Sequence, residues 1–259
     1  MNVHSAKPIE ARLASSQATL PLRARHREEM NCQIVHDSIH QREGWTLSYL
    51  LEVDGVPAGF GSIAIAGPWK DTPTVFEFYV LPRHRARAFD FFEAFLAASG
   101  ARFFEVQSND ALLTVMLHTY GREIASEKIV FADKIITTHP PNGAILRRVT
   151  PEEEIRACLE QRQGGGEWLL EFDGATAATG GILFHYNRPY GDIYMEVREP
   201  FRKRGFGSYL VQELKRVCYE LGAVPCARCS PTNIPSRRTL QKAGFVPFAH
   251  ILNAVIAPG

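Results

Sequence analysis

A short basic segment with two glycines, Arg202-Lys203-Arg204-Gly205-Phe206-Gly207, constrains the fold of this chain more than any other stretch. It follows a predicted strand at Ile193–Val197 and precedes an amphipathic helix predicted to run to about Leu221. The first N–H groups of a helix lack intrahelical partners and lie at the positive end of its dipole, so they suit phosphate oxygens. The glycines let an anion approach the backbone, and the basic side chains add positive charge. The segment therefore predicts a site for a phosphorylated cofactor.

The spacing of the glycines excludes two common phosphate sites. A dinucleotide fold requires G-x-G-x-x-G, but Leu210 stands at the third glycine position, and the chain has no glycine-lysine-hydroxyl triplet of a P-loop. What remains is R-x-x-G-x-G. Taken alone, this pattern fits equally well a glycine-containing helix start with solvated basic residues.

A second segment adds to the first. Asn233-Ile-Pro-Ser236 opens a short predicted helix that Gly244 and Phe245 close. The two segments together resemble the GNAT superfamily of acyl-CoA N-acyltransferases. The resemblance implies that the basic segment binds the pyrophosphate of coenzyme A and that the preceding strand pairs with the pantetheine arm. The cofactor-binding residues it implies are Met195, Val197, Arg202, Lys203, Arg204, Gly205, Phe206, Gly207, Ser208, Asn233 and Ser236.

Composition narrows the class of protein. A formal charge of +1 gives no global basic field of the kind that nucleic-acid binders use. No apolar run reaches the roughly 18–20 residues of a membrane span, and the first thirty residues lack the apolar core of a signal peptide. Five cysteines without a signal peptide fit a reducing compartment. We expect a soluble cytoplasmic protein that binds neither nucleic acid nor membrane.

The pair Cys226-Ala-Arg-Cys229 could be half of a redox or zinc site. It lies in a predicted strand at Ala223–Ser230, where residues three apart point to opposite faces, and no second pair completes a metal site. We interpret both as ordinary strand cysteines and expect no metal.

The order of predicted elements repeats in the two halves of the chain. When Val80 is laid on Val197, Arg85 meets Arg202 and Phe89 meets Phe206. The glycines are lost, because Ala88 and Asp90 stand where Gly205 and Gly207 do, and a carboxylate there would repel a pyrophosphate. The N-terminal half is therefore interpreted as a degenerate copy. Two generic strand-helix units that merely look alike are the alternative.

This arrangement resembles a tandem GNAT protein. The implied fold class is α+β, with two GNAT-like folds, each a mostly antiparallel sheet with a splayed central strand pair flanked by helices. We predict a degenerate domain at residues 1–136, a linker at 137–144 and an acetyl-CoA-binding domain at 145–259. Residues 1–20 are predicted to be aperiodic, and a helix is predicted at Leu22–Gln41.

The implied reaction is direct attack of an amine on the thioester of acetyl-CoA, which needs a group that removes a proton from the amine. The backbone N–H of Val197 is the expected donor to the oxyanion. The positions with the side-chain parity of Val197, which are Gly191, Ile193 and Met195, cannot accept a proton. Asp192, Tyr194 and Glu196 have the other parity and would face the site only at a bulge or twist.

Two candidates for the base follow. Glu196 comes first because it adjoins the expected oxyanion donor, although it could instead pair with nearby arginines. His185, beside Tyr186 near the end of the neighbouring strand, is second, because imidazole titrates near neutrality. Residues of the N-terminal half could also supply the base.

One departure from the family weakens the case for catalysis. Leu240 stands before Gln241-Lys242, where many members carry a tyrosine that protonates the leaving thiolate. We therefore expect an N-acetyltransferase acting on a small-molecule or protein amine, with a coenzyme-A-binding sensor or scaffold as the alternative. A homodimer is possible, and the sequence does not identify the acceptor.

Overall fold

The computed structural model describes residues 7–33, 37–153 and 167–257. These residues pack into two compact units. The first unit ends at Glu127 and also takes in the C-terminal segment from Ala249, and the second unit is Lys128–Phe248. Two strands thus begin in one unit and end in the other. The division of the sequence repeat at residues 137–144 stays a prediction.

Six strands of the first unit lie in the order β1-β2-β3-β4-β5-β12. All its pairings are antiparallel except β4 with β5, which is parallel. The strands are β1 (Ile9–Ala14), β2 (Thr46–Val53), β3 (Val56–Ala64), β4 (Thr74–Val80), β5 (Phe103–Gln107) and the end of β12 (Phe245–Ile256), and β6 (Gly121–Asp133) begins here. The helices are α1 (Ser16–Met30), α2 (Asp37–His40), α3 (Ala88–Ser99) and α4 (Ala111–Tyr120).

The second unit repeats this plan with the order β6-β11-β10-β9-β8-β7. Its single parallel pair is β10 with β11, among the pairings that the structure describes. The strands after β6 are β7 (Ile145–Arg148), β8 (Trp168–Phe172), β9 (Ala175–Leu183), β10 (Tyr190–Val197) and β11 (Val224–Cys229), and the helices are α5 (Phe206–Glu220) and α6 (Ile234–Lys242). The predicted α+β class, with mostly antiparallel strand pairing flanked by helices, is confirmed.

Helix α5 holds the core of the second unit together. Its apolar residues recur at helical spacing, and Leu210, Leu214 and Cys218 have no exposed surface. They pack against Ile193 of β10, with Met195 half-buried beside them. The odd-numbered side chains of β10 therefore face α5, and the even-numbered ones lie on the opposite face of the sheet.

The N-terminal segment differs from the prediction. Strand β1 pairs along the edge of the sheet with β2, and α1 begins at Ser16 rather than Leu22. The Ser15 side chain caps α1 by accepting from the Ala18 N–H, and Pro21 lies inside the helix instead of before it. The strand was missed because it is short, carries two charged residues among its six, and has no fully buried residue, as is usual for an edge strand.

Among the helices described, none is long and apolar enough to cross a membrane. Helical backbone follows Thr150 at residues 151–153, and residues 154–166 lie outside the described residues.

Candidate functional site

The two central strands of the second unit form a fork. Strands β10 and β11 pair from Tyr190 with Val224 to Asp192 with Cys226, and the pairing then stops. On its other side β10 stays paired with β9 as far as Val197, without a register shift. The Arg198 N–H donates to the Ala177 carbonyl of β9. Because backbone direction alternates along a strand, the N–H groups of Val197 and Met195 point away from β9 into the fork.

The basic segment forms a fixed turn at the open end of the fork. The Arg202 Nε donates to the Val197 carbonyl at 3.1 Å, which ties the turn to the strand. Lys203 and Gly205 both have left-handed backbone conformations, with φ of 62° and 87°. Glycine is the residue that adopts this conformation without a steric cost. Helix α5 begins at Phe206, so its first N–H groups face the end of the fork.

Gly207 brings the two predicted cofactor segments together. A Cβ on Gly207 would stand 3.2 Å from Cγ2 of both Thr239 and Val197. The first turn of α5 therefore packs directly on α6 and β10. Asn233 caps α6, because its side chain accepts from the Ser236 N–H at 3.1 Å. Close packing therefore favours glycine at position 207.

The basic turn at residues 202–207 and the start of α5 together form a cradle, and its side chains divide into two groups. The Arg204 guanidinium stacks on three phenylalanines, with its carbon 4.7 Å from the ring centre of Phe172, 5.1 Å from Phe206 and 5.7 Å from Phe201. Phe206 is buried, so only its backbone can contact a cofactor, and Ser208 is also buried. Lys203 is exposed. Arg204 is therefore held in place by cation–π contacts, whereas Lys203 is available to a ligand.

A buried carboxylate lies at the closed end of the fork. Asp192 occupies the last paired position of β10 and is 4% exposed. Its Oδ2 is 3.4 Å from Nε of Arg228 and 3.8 Å from Nε2 of His185. Burial raises the pKa of Asp192 to about 6, although Arg228 acts in the opposite direction. A carboxylate that titrates near neutrality beside a half-exposed histidine is suited to proton transfer.

The predicted bases lie in different surroundings. Glu196 is exposed on the face opposite α5, and the uninterrupted register of β9 and β10 excludes the bulge that would turn it round. His185 and Tyr186 lie beyond the end of β9, which stops at Leu183, and their rings are 3.9 Å apart. The structure thus brings His185 together with Asp192, and it leaves Glu196 apart from both.

Arg228 is the member of this group that the sequence did not reveal. It lies between the two cysteines of β11, and its guanidinium stacks 5.1 Å from the Tyr186 ring. Cys226 and Cys229 are free and buried, and burial raises the pKa of both thiols. No group of three or more potential metal ligands occurs among the residues that the structure describes. In this strand, the residue that contributes to the candidate site is therefore Arg228, and not either of the two cysteines beside it.

The first unit repeats the fork but not the cradle. Strands β4 and β5 stop pairing after Val75, and Nε of Arg85 donates to the Val80 carbonyl at 2.9 Å. Val75, Arg85 and Val80 correspond to Asp192, Arg202 and Val197. The separation is the same for each pair, as the predicted repeat requires. The turn differs, because Arg87 and Ala88 have negative φ and Ala88 already begins α3. In addition, Glu29 forms two hydrogen bonds with Arg85.

The face of β4 that lies opposite α3 carries a buried ionic network. Glu77 is fully buried and is 2.8 Å from Nε2 of His40, and Nε2 of His26 is 2.7 Å from Asp110. Burial would raise the pKa of Glu77, but His40 and Arg23 lower it to about 2. These groups are enclosed by α1, α2 and α4, so they serve the fold of this unit in the structure described.

A comparison with known protein families finds a match in the second half of the chain. Residues 137–245 match the model of the acetyltransferase (GNAT) family. This part of the chain is therefore similar to that family. No curated protein sequence matches the chain.

Solved structures extend the likeness to the whole chain. A GNAT-family acetyltransferase from Colwellia psychrerythraea is 12% identical, with a TM-score of 0.73 over 95% of this chain and 99% of that one. A GCN5-related N-acetyltransferase from Sphaerobacter thermophilus is 17% identical, with a TM-score of 0.62 over 97% and 96%. A tandem GNAT protein from the clavulanic acid biosynthesis pathway is 12% identical, with a TM-score of 0.61 over 97% and 100%. The predicted tandem arrangement of two similar folds is confirmed.

Proposed function

We propose that the chain is an N-acetyltransferase that binds acetyl-CoA in the second unit and transfers the acetyl group directly to an amine. One observation carries the proposal. The fork directs the N–H groups of Met195 and Val197 toward a turn that ends at the first N–H groups of α5. An extended arm with a pyrophosphate at one end fits such a path, because strand N–H groups bind the arm and a helix start binds the phosphates.

The position of the oxyanion donor follows from distance. Asp192 is five residues from Val197, roughly 16 Å along a strand, but only three residues from Met195, roughly 10 Å. If the Met195 N–H polarises the thioester, an amine attacking that thioester also lies close to the group around Asp192. The amine can then pass its proton to that group through His185 or one water. We assign the oxyanion role to the Met195 N–H rather than to the Val197 N–H, which binds the pantetheine arm in this proposal.

His185 is the proposed base. The Asp192 carboxylate lies 3.8 Å from its Nε2, near the closed end of the fork, and 3.4 Å from Nε of Arg228. In this proposal the carboxylate attracts the imidazolium that forms. His185 takes the proton that the amine releases as the C–N bond forms. Glu196 stays the alternative base.

The missing tyrosine does not prevent the reaction. Leu240 is buried in the core of the second unit, so no acid stands at this position. A thiol has an ordinary pKa of ~8.5 and can leave as a thiolate near neutral pH. This favours transfer over the alternative of a coenzyme-A-binding sensor or scaffold.

The test combines binding and turnover. Calorimetric titration with acetyl-CoA is carried out on the natural chain, on Lys203→Glu in the cradle and on Lys134→Glu, an exposed lysine outside the cradle. We expect binding that Lys203→Glu weakens about tenfold or more and Lys134→Glu leaves unchanged. If both variants weakened acetyl-CoA binding equally, the cradle would not be the cofactor site. Thioester consumption with a panel of amines then separates an enzyme from a sensor, which would bind acetyl-CoA and consume none.

A further inference from the structure

A cleft of about 380 Å³ opens within the first unit, apart from its fork. One wall is the short 3-10 helix Gly67–Trp69 and the loop that follows, and the floor is one face of β4, β5, β6 and β12. Its volume lies in the range of small-molecule sites. The residues that define its chemistry are Trp69, Phe103, Glu105, Glu123, Glu127 and Asn253.

Asn253 is the centre of the floor. It lies directly opposite Glu105 in the register of β5 and β12. Its Nδ2 donates to Oε2 of Glu127 at 3.3 Å, and Oε2 of Glu105 accepts from the Trp69 indole at 3.0 Å. Two carboxylates thus flank the amide, and the edge of an aromatic ring lies against one of them.

The cleft presents acceptors and negative charge. Three glutamates line it, and none of the described residues that line it is a lysine, arginine or histidine. The Oδ1 of Asn253 is shielded from solvent. A ligand in the cleft therefore meets the carboxylates rather than this oxygen.

We propose that this cleft binds a small organic amine in its protonated form. The ammonium group would donate to the carboxylates of Glu105 and Glu127, because it has three donors and no acceptor. The aliphatic part of the ligand would pack on Trp69 and Phe103, where the indole also attracts a cation. A metal ion suits the cleft less well, since no group of metal-ligating side chains was found among the described residues. The proposal does not depend on acyl transfer in the second unit.

The indole N–H of Trp69 reports on the cleft directly, because it donates to Glu105. The chain has three tryptophans, so its indole ¹H–¹⁵N signals are few, and a Trp69→Phe variant assigns the signal of interest. Titration with 1,5-diaminopentane is expected to shift the Trp69 signal to saturation and to leave the Trp45 and Trp168 signals in place. Pentan-1-ol, which has no charge, is expected to shift none of them.

The double variant Glu105→Gln, Glu127→Gln removes the charges and keeps the shape and an acceptor for the indole. We expect it to bind the diamine at least about tenfold more weakly, and Glu28→Gln, an exposed glutamate outside the cleft, to bind as the natural chain does. Unchanged diamine affinity in the double variant would overturn the proposal. So would equal shifts by pentan-1-ol, or an unresponsive Trp69 signal in a chain whose spectrum is that of the folded protein.

Discussion

Asp192 is expected to lower the stability of the folded chain at neutral pH. Its folded-state pKa of about 6 lies above its ordinary value of 3.8, because burial disfavours the carboxylate. A group whose pKa rises on folding contributes its stability only while it is protonated in both states. That contribution is complete below about pH 4 and is lost as the pH rises through about 6.

The magnitude follows from the two pKa values. The difference between about 6 and 3.8 corresponds to about 3 kcal/mol at pH values well above 6. The ion pair with Arg228 is already included in this value as an opposing effect. Asp192→Asn removes the titration, so it is expected to stabilise the chain by about 1–3 kcal/mol at pH 8. At pH 4, where Asp192 is protonated, the expected change is near zero.

Urea unfolding of the natural chain and of Asp192→Asn at pH 4 and pH 8 measures this effect. Asp173→Asn, which changes an exposed turn carboxylate, is the control and is expected to behave alike at both pH values. A stability gain at pH 8 together with a large loss of acetyl transfer would identify a carboxylate kept for function at a cost in stability. A variant that is less stable than the natural chain at pH 8 would refute the reasoning.

Three further outcomes follow from the same structure. Lys215→Met is expected to lose about 3–5 kcal/mol in urea unfolding, because buried Lys215 bonds Asp133 and the Ala243 carbonyl, whereas exposed Arg216→Met should change little. Asn233→Ala is expected to lose about 1 kcal/mol through its cap on α6, and unchanged stability would contradict the cap. The pH profile of kcat/KM is expected to rise through a limb that His185→Gln removes and Glu196→Gln retains, and the opposite pattern would make Glu196 the base.

The cradle was predictable because local residues determine it. A glycine with positive φ, a helix start and a basic turn are all properties of one short segment. The repeat was predictable for a related reason, since Arg85 and Arg202 make the same hydrogen bond to a strand carbonyl at the same spacing.

The group around Asp192 was harder to predict because three strands or their ends contribute to it. Sequence parity correctly separates Asp192 from Val197, but it does not reveal that Arg228 crosses from β11 or that His185 reaches back from the end of β9. Strand β1 and the return of β12 into the first unit depend likewise on long-range pairing, which leaves little trace in local patterns.

The central claim is that only the second unit binds acetyl-CoA, and a matched pair of arginines tests it. Arg202 and Arg85 each donate Nε to the carbonyl at the end of a forked strand, one in each unit. Calorimetric titration of acetyl-CoA into Arg202→Ala and Arg85→Ala is expected to show one site in the natural chain, weakened about tenfold or more in the first variant and retained in the second. Binding that Arg85→Ala abolishes and Arg202→Ala preserves would contradict the account.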